Sequence, residues 1–198
     1  NDRWLVCMPL FHVGGMAILF RSCLYGTAIV LQRGFDEAAV LHSLAAEKIT
    51  LISLVPTMLK RLLDANLNVD RAPDLRLILL GGAAAPASLL ESAFDTKLPV
   101  AVTYGLTETA SQVATMRPAE ARAKPGSSGR PLLFSEIKTV DENGTMTAAN
   151  QPGEVAVRGP SVMAGYYADE AATHATLHDG WLYTGDIVRQ DGDGFIYI

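Results

Sequence analysis

The residues best suited to chemistry lie in the segment 103–109, which reads Thr-Tyr-Gly-Leu-Thr-Glu-Thr. The segment combines several hydroxyl groups with a glycine and one carboxylate. It follows a short apolar run, residues 98–102, that is typical of a buried parallel strand. Ligands of open α/β sheets bind outside the carboxyl ends of the strands, so the turn is placed to hold a nucleotide and its magnesium. The same residues also fit a helix N-terminus, with Thr107 as the cap and Glu108 favoured by the macrodipole.

Two further segments place flexible or polar residues after predicted strands. Residues 81–86 read Gly-Gly-Ala-Ala-Ala-Pro, and they let the backbone approach a purine or a phosphate closely. A tight strand-to-helix turn needs the same residues. Residues 9–15 put His12 beside an aromatic side chain and two glycines. His12 therefore either lines a substrate pocket or packs as a histidine of the core.

Asp186 ends an aromatic-rich segment, residues 181–186, in which it directly follows a glycine. An aspartate placed in this way can accept hydrogen bonds from both hydroxyls of a ribose, and an ordinary strand-edge turn is the alternative. Residues 124–131 look like a phosphate-binding loop, but no Gly-Lys-Ser/Thr closes it and no helical pattern follows. We therefore interpret 124–131 as a structural turn.

Composition limits the class of protein. The chain has 198 residues, 49% of them hydrophobic, which is enough apolar material for a buried core. Its net charge is -5 and it carries no basic block, which argues against a nucleic-acid partner. No apolar run approaches the roughly 18 residues of a membrane span, and we expect a cytoplasmic protein. Cys7 and Cys23 match no metal or redox spacing and are expected to be buried and reduced.

The first part of the chain alternates short apolar runs with helical patterns, which predicts βα units around a mostly parallel sheet flanked by helices. Two local signals support the helix assignments, because Asp36 is placed as an N-cap and Pro56 stands where a proline opens a helix. The predicted strands are 4–10, 28–32, 49–55, 75–80 and 98–102. The predicted helices are 15–25, 36–47, the segment after Pro56, and 88–95.

The sequence changes in character beyond residue 118, where glycines and prolines recur and the apolar runs become short and alternating. This pattern predicts a smaller β-rich region, with Asx-Gly turns at residues 141–144 and 191–194. We therefore divide the chain into an α/β subdomain, residues 1–117, and a β-rich subdomain, residues 118–198.

The order of these motifs resembles that of the adenylate-forming enzymes, a superfamily that includes acyl-CoA synthetases, the adenylation domains of peptide synthetases and firefly luciferase. The resemblance spans nearly the whole chain, and its most specific motifs are Tyr-Gly-Leu-Thr-Glu-Thr and Tyr-Thr-Gly-Asp. In sequence order the matching segments are 9–15, 81–86, 104–109, 126–131, 153–166 and 181–186.

The resemblance implies a role for each candidate residue. Thr107 would contact the phosphates of ATP, Glu108 would hold magnesium, and His12 would lie by the pocket for the acid. These three are the predicted catalytic residues. The positions implied to bind the nucleotide, with Asp186 on the ribose hydroxyls, are Gly82, Ala83, Ala84, Tyr104, Gly105, Thr107 and Asp186.

Within the superfamily the chain looks closest to acid:CoA ligases, particularly the o-succinylbenzoate:CoA ligases. The implied substrates are a carboxylic acid, ATP and coenzyme A, with Mg²⁺ as cofactor and a homodimer as the expected assembly. A fatty-acid or aryl-acid ligase could carry the same residues, so these two kinds of ligase stay open as alternatives. The alternatives are another branch, of the peptide-synthetase or luciferase kind, and a non-catalytic nucleotide-binding module.

Some motifs of the family fall outside the sequence. The family's Ser/Thr/Gly-rich phosphate loop precedes the segment 9–15, and the domain with the catalytic lysine follows a hinge beyond residue 198. The resemblance therefore implies a fragment of the large N-terminal domain of an adenylate-forming enzyme, and we expect this fragment to be inactive on its own.

Overall fold

The computed structural model describes residues 2–198, which fold as two compact units. The first unit comprises residues 2–102 and 117–126, and the second comprises residues 103–116 and 127–198. The segment 103–116, which carries the Thr/Glu turn, thus folds with the β-rich part of the chain. The division into functional subdomains between residues 117 and 118 stays a prediction.

The elements follow the chain in an alternating order in the first half and are mainly strands in the second. The strands are β1 (Arg3–Val6), β2 (Ala28–Leu31), β3 (Leu51–Leu54), β4 (Leu77–Leu80), β5 (Val100–Leu106), β6 (Ser111–Thr115), β7 (Arg130–Pro131), β8 (Glu136–Val140), β9 (Pro152–Arg158), β10 (Leu177–His178), β11 (Trp181–Gln190) and β12 (Ile196–Tyr197). The helices are α1 (Val13–Tyr25), α2 (Glu37–Ala46), α3 (Pro56–Asp64), α4 (Ala87–Asp95), α5 (Pro118–Ala121) and α6 (Glu170–Thr176), with 3-10 turns at Val69–Arg71 and Thr107–Thr109.

The first unit is built on a parallel sheet with the strand order β2-β1-β3-β4, extended by the first residues of β5. Every residue of β3 is buried, as expected for a central parallel strand covered on both faces. Helix α1 belongs to one of the two layers that cover the sheet, since its Ile18 packs in a cluster with Trp4, Val6 and Leu51. The predicted parallel sheet flanked by helices is confirmed.

Local signals position two of these helices as the sequence predicts. The carboxylate of Asp36 accepts a hydrogen bond from the backbone N–H of Ala39 at 2.8 Å, so Asp36 is the N-cap of α2. Pro56 is the first residue of α3. A backbone N–H at this position would have no partner within the helix, so the N–H that proline lacks costs no helical hydrogen bond. Leu59 and Leu62 form the buried side of that helix.

The second unit is antiparallel throughout. The last residues of β5 pair with β6, and β6 pairs with β7. A separate five-stranded sheet has the order β10-β11-β9-β8, with β12 paired to β11. Buried residues from both sheets form a single cluster: Tyr104, Val113, Ala114, Val155, Val157, Val188 and Ile196.

Two predictions from the sequence are wrong in detail. Residues 103–106, which were expected in a turn, continue β5, because antiparallel pairing with β6 holds them in extended conformation. Only Thr107–Thr109 form the turn. Cys7 is buried as expected, but Cys23 is exposed, because α1 turns its Ala17, Ile18 and Ser22 side inward and leaves Cys23 on the outer side.

The segment that looks like a phosphate loop is a structural turn, as interpreted from the sequence. Ser127 and Ser128 are buried, and the Ser127 hydroxyl donates to the carbonyl of Ile196 at 2.8 Å while accepting from the N–H of Gly129 at 2.9 Å. The hydroxyl of Ser127 is thus bonded to the backbone of the protein itself. Among residues 2–198, no helix has the length and apolar character needed to cross a membrane.

Gly129 is the tightest point of this turn and generates a stability prediction. Its φ is +92°, and a Cβ there would lie 2.0 Å from the carbonyl carbon of Thr115. Gly126 also has a positive φ, +79°, but a Cβ there would meet nothing within 4 Å. Because only Gly129→Ala adds a backbone clash, it should lower the free energy of unfolding by about 2 kcal/mol more than Gly126→Ala.

Urea denaturation of the two variants measures this difference. Equal losses of stability would show that the close approach between Gly129 and Thr115 does not constrain the fold.

Candidate functional site

The geometry of the Thr/Glu turn depends on a close backbone contact at Gly105. A Cβ on this residue would lie 1.9 Å from the carbonyl oxygen of Ser111, so no side chain fits. The register of the β5–β6 pairing shifts between Tyr104 and Gly105, where the two strands come together. The glycine of the motif therefore has a structural reason to be there, and its contact with a nucleotide stays a prediction.

Thr109 closes the turn from the inside. Its side-chain oxygen accepts the N–H of Leu106 at 2.9 Å, and its hydroxyl donates to the carbonyl of Ser111 at 2.8 Å. Thr109 is buried, whereas Thr107 is exposed and Glu108 is half-buried. The helix N-terminus considered as an alternative is wrong, because the 3-10 turn leads into β6 rather than into a helix. Thr107 and Glu108 thus lie where a ligand can reach their side chains.

Tyr104 connects the core of the second unit to Asp186. Its ring is buried, with 6% of the residue exposed, and its hydroxyl donates to Oδ2 of Asp186 at 2.7 Å. Burial raises the pKa of the phenol well above its usual value, and the Asp186 carboxylate adds to the rise, whereas the hydrogen bond with Thr184 opposes it. The phenol is therefore protonated at neutral pH, and it can act as the donor that orients Asp186.

Asp186 itself lies in an irregular stretch of β11. The pairing of β11 with β9 changes register between Tyr183 and Ile187, which is the mark of a β-bulge. The carboxylate of Glu154 accepts the N–H of Gly185 at 2.9 Å within this bulge. The Thr184 oxygen accepts the N–H of Asp186 at 3.2 Å. These bonds fix the backbone that carries Asp186, so the ordinary strand-edge turn does not describe this position.

Glu108 has a partner that is distant in sequence. Its Oε1 accepts a hydrogen bond from the hydroxyl of Tyr166 at 2.9 Å, and its backbone carbonyl accepts the N–H of Met163 at 2.8 Å. The hydrogen bond to Glu108 is also the main reason that the pKa of the Tyr166 phenol is raised. Tyr166 is thus a neutral donor at physiological pH, like Tyr104.

The remaining candidates lie in the first unit. His12 is exposed, directly precedes α1, and contacts the ring of Phe11 with a centroid distance of 4.5 Å. The core-histidine alternative is therefore wrong. Gly82, Ala83 and Ala84 lie in an exposed turn after β4. Because β1 and β4 are parallel strands of one sheet, these two segments lie at the same edge of it.

The donor chemistry of the turn suits a hard cation. Glu108 supplies a carboxylate and Thr107 a neighbouring hydroxyl, both of them oxygen ligands of the kind that Mg²⁺ prefers. Within residues 2–198, no three His, Cys, Asp or Glu side chains gather as a complete metal cluster. A magnesium ion at Glu108 would therefore take its other ligands from phosphate oxygens and water, which is the usual manner of binding for this ion.

Comparison with known proteins places this geometry in a family. Residues 1–167 match the family model described as AMP-binding enzyme. The chain belongs to the AMP-binding enzyme family. The match covers the turn with Glu108, the Gly82 segment and Tyr166, and it confirms the resemblance to adenylate-forming enzymes.

Several members of the family are similar over the whole chain. The 2-succinylbenzoate–CoA ligase of Bacillus licheniformis is 47% identical over 199 residues, which cover 100% of this chain and 41% of that protein. The O-succinylbenzoate coenzyme A synthetase of Bacillus subtilis, solved in complex with ATP and magnesium ion, has a TM-score of 0.93 at 42% identity, over 99% of this chain and 41% of that one. A fatty acyl CoA synthetase of Mycobacterium tuberculosis has a TM-score of 0.88 at 28% identity. The chain thus spans about 40% of the length of its 2-succinylbenzoate–CoA ligase relatives.

Sequence reasoning missed three residues that hold the candidate side chains. Thr184 stands inside the quoted Tyr-Thr-Gly-Asp motif, and Tyr166 ends the matching segment 153–166, so both had a signal in the family motifs. Glu154 lies in the same segment, but nothing in the sequence indicates that its carboxylate meets the N–H of Gly185 on a neighbouring strand.

The raised pKa of Tyr104 predicts a dependence of stability on pH. The unfolded chain releases this phenolic proton near pH ~10, whereas the folded chain keeps it, so the stabilisation is complete below that pH and is lost as pH rises further. Tyr104→Phe removes this pH-dependent contribution to the free energy of unfolding. Between about pH 10 and 11.5 the free energy of unfolding should fall less steeply in Tyr104→Phe than in the wild type.

Urea unfolding across this pH range measures the slope. Tyr167→Phe is the matched control, because Tyr167 is fully exposed and should keep the wild-type slope. If Tyr104→Phe and Tyr167→Phe have the same slope, the buried phenol is not the titrating group.

Proposed function

We propose that this chain is part of an ATP-dependent carboxylic acid:CoA ligase whose acid is 2-succinylbenzoate or a closely similar aromatic dicarboxylate. The observation that carries the proposal is the 47% identity to a 2-succinylbenzoate–CoA ligase along the entire chain. The organisation of the second unit supports it, because two carboxylates, Glu108 and Asp186, are each held by a tyrosine hydroxyl at an accessible position.

Asp186 would bind the ribose of the nucleotide. Its Oδ2 is held by Tyr104, and a carboxylate accepts several hydrogen bonds, so it retains capacity for the two ribose hydroxyls. The bulge that contains Gly185 keeps Asp186 in this orientation through backbone bonds. Binding would therefore require little reorganisation of the protein, which favours affinity.

Thr107 and Glu108 would act on the phosphates. Thr107 offers a hydroxyl donor from an exposed position, and Glu108 would hold the cation that accompanies ATP. Magnesium, when bound, neutralises negative charge that develops on the phosphate oxygens. The turn presents both side chains on a backbone fixed by Thr109, so their positions are set before the ligand arrives.

The reaction consists of two transfers. A carboxylate oxygen of the acid attacks the α-phosphorus of ATP, the bond to the bridging oxygen breaks, and pyrophosphate leaves with an acyl-adenylate as the product. The thiolate of coenzyme A then attacks the acyl carbonyl carbon, and AMP leaves with the electron pair of the acyl–oxygen bond. Glu108, Thr107 and Asp186 would act in the first step by orienting ATP and stabilising charge.

The roles of the first unit rest on the resemblance. Gly82, Ala83 and Ala84 offer exposed backbone for an adenine ring, and His12 is an exposed imidazole at the same sheet edge, suited to the acid or its pocket. We also propose a cytoplasmic homodimer for the complete protein. Sedimentation of the purified complete protein and fractionation of cells address these two points.

Two alternatives remain as competing proposals. A non-catalytic nucleotide-binding module would bind ATP without acid-dependent release of pyrophosphate. A member of another branch would form the acyl-adenylate but would not consume coenzyme A. Acid-dependent exchange between ATP and pyrophosphate distinguishes the proposed ligase from the first alternative. The dependence of product formation on coenzyme A distinguishes it from the second.

The ribose assignment predicts the effect of removing one carboxylate. Asp186→Ala should weaken binding of AMP by about tenfold or more, because two hydrogen bonds to a charged acceptor are lost. Calorimetric titration of AMP into the protein measures this affinity. Glu142→Ala, which removes one exposed carboxylate from a turn of the same unit, is the control and should bind AMP as the wild type does. Similar affinities for 2'-deoxy-AMP and AMP in the wild type would also count against the assignment.

The magnesium assignment predicts the effect of a neutral isostere. In the complete protein, Glu108→Gln should lower the rate of ATP–pyrophosphate exchange by about a hundredfold or more, as is usual for the loss of an electrostatic contact in the transition state. The variant should also need a higher Mg²⁺ concentration to reach its maximal rate. Wild-type exchange with wild-type magnesium dependence would remove Glu108 from the site.

A further inference from the structure

Tyr166 contacts Glu108 from a segment that lies 58 residues further along the chain. Its hydroxyl donates to Oε1 at 2.9 Å, and the N–H of Met163, three residues earlier, donates to the carbonyl of Glu108 at 2.8 Å. The segment 163–166 thus holds both the side chain and the backbone of the same glutamate. Two contacts of this kind restrict the torsion angles of Glu108 more than a single hydrogen bond would.

The backbone at Tyr166 is itself anchored. Its N–H donates to the side-chain oxygen of Thr173 at 2.9 Å, and the Thr173 hydroxyl donates to the carbonyl of Asp169 at 2.8 Å. Asp169 caps α6 by accepting the N–H of Ala172 at 2.9 Å. The phenol therefore extends toward Glu108 from a hydrogen-bonded turn.

Only one oxygen of the Glu108 carboxylate is used in this way. Oε1 accepts from Tyr166, whereas no described residue of the chain donates a hydrogen bond or forms an ion pair with Oε2. Because Tyr166 is an uncharged donor, it orients the carboxylate without cancelling its negative charge. The result is a half-buried carboxylate with one oxygen held and the other one available.

We propose that Tyr166 is a positioning residue for magnesium, whose hydroxyl holds Oε1 of Glu108 and leaves Oε2 for the cation. The inference rests on the proposed function, because it takes Glu108 as the magnesium ligand. It extends that function by assigning a second residue that acts on the metal through the first. Residues that orient a metal ligand in this manner typically contribute tenfold or more to metal affinity.

The neighbouring tyrosine provides a matched control. Tyr167 follows Tyr166 directly and is fully exposed, with a relative exposure of 101%, whereas Tyr166 is 37% exposed and bonded to Glu108. Tyr166→Phe and Tyr167→Phe remove the same atom from adjacent positions. Any difference between the two variants therefore reports the hydrogen bond to Glu108 rather than the loss of a phenol in this loop.

The test measures cation binding directly. Mn²⁺ replaces Mg²⁺ as a paramagnetic probe, and its binding to the complete protein with saturating AMP and pyrophosphate is followed by electron paramagnetic resonance. Tyr166→Phe should weaken Mn²⁺ binding by about tenfold, while Tyr167→Phe binds as the wild type does. In steady-state assays Tyr166→Phe should raise the Mg²⁺ concentration for half-maximal rate and leave the KM for coenzyme A unchanged.

A double-mutant comparison separates positioning from a general loosening of the loop. In the Glu108→Gln background, Tyr166→Phe should cause little further loss of Mn²⁺ affinity, because the carboxylate that it orients is already gone. Equal Mn²⁺ affinities of Tyr166→Phe and Tyr167→Phe, or a full additional loss in the Glu108→Gln background, would overturn the inference alone. The absence of acid-dependent ATP–pyrophosphate exchange in the complete wild-type protein would overturn the proposed function, and the inference together with it.

Discussion

The approach of β6 to β5 at Gly105 is the constraint on which the candidate site depends. The Ser111 carbonyl occupies the space that a Cβ on residue 105 would need. Because this residue is a glycine, β5 and β6 can approach each other directly after Tyr104. The chain must then reverse within Thr107–Thr109, and this reversal leaves Thr107 and Glu108 on the accessible side while Thr109 faces inward. A bulkier residue at Gly105 would separate the strands and displace the carboxylate.

Tyr104 belongs to both the core and the site. Its ring packs in the cluster with Val113, Val155 and Ile196, and its hydroxyl reaches Asp186. The orientation of Asp186 is therefore determined by the packing of the whole second unit as well as by the local bulge of β11. The core and the candidate site share this one side chain, so a change that loosens the packing around Tyr104 would also loosen the position of Asp186.

Much of the fold could be predicted from the sequence, because its signals are local. The Asp36 cap, the first position of Pro56 in α3 and the alternation of strands and helices all depend on residues a few positions apart. The ordered motifs likewise indicated the family. The extension of β5 through residue 106 could not be predicted, since pairing with β6 overrides the turn-forming composition of that segment.

The contacts within the site could not be predicted from the sequence either, because they join residues that are far apart in the chain. Tyr104 and Asp186 are 82 residues apart, and Glu108 and Tyr166 are 58 residues apart, so each pair is brought together only by the arrangement of strands and loops. The motifs identified three of these four residues as members of a site. They did not identify the pairs.

The two candidate carboxylates, Glu108 and Asp186, are each held by a phenol, and within the described residues neither of them forms a salt bridge. An arginine in either position would hold the carboxylate as firmly, but its positive charge would compete with an incoming cation and would have to be displaced. A phenol holds an anion and leaves its charge intact. A cation that binds at Glu108 would therefore break no internal ion pair, either on arrival or on release.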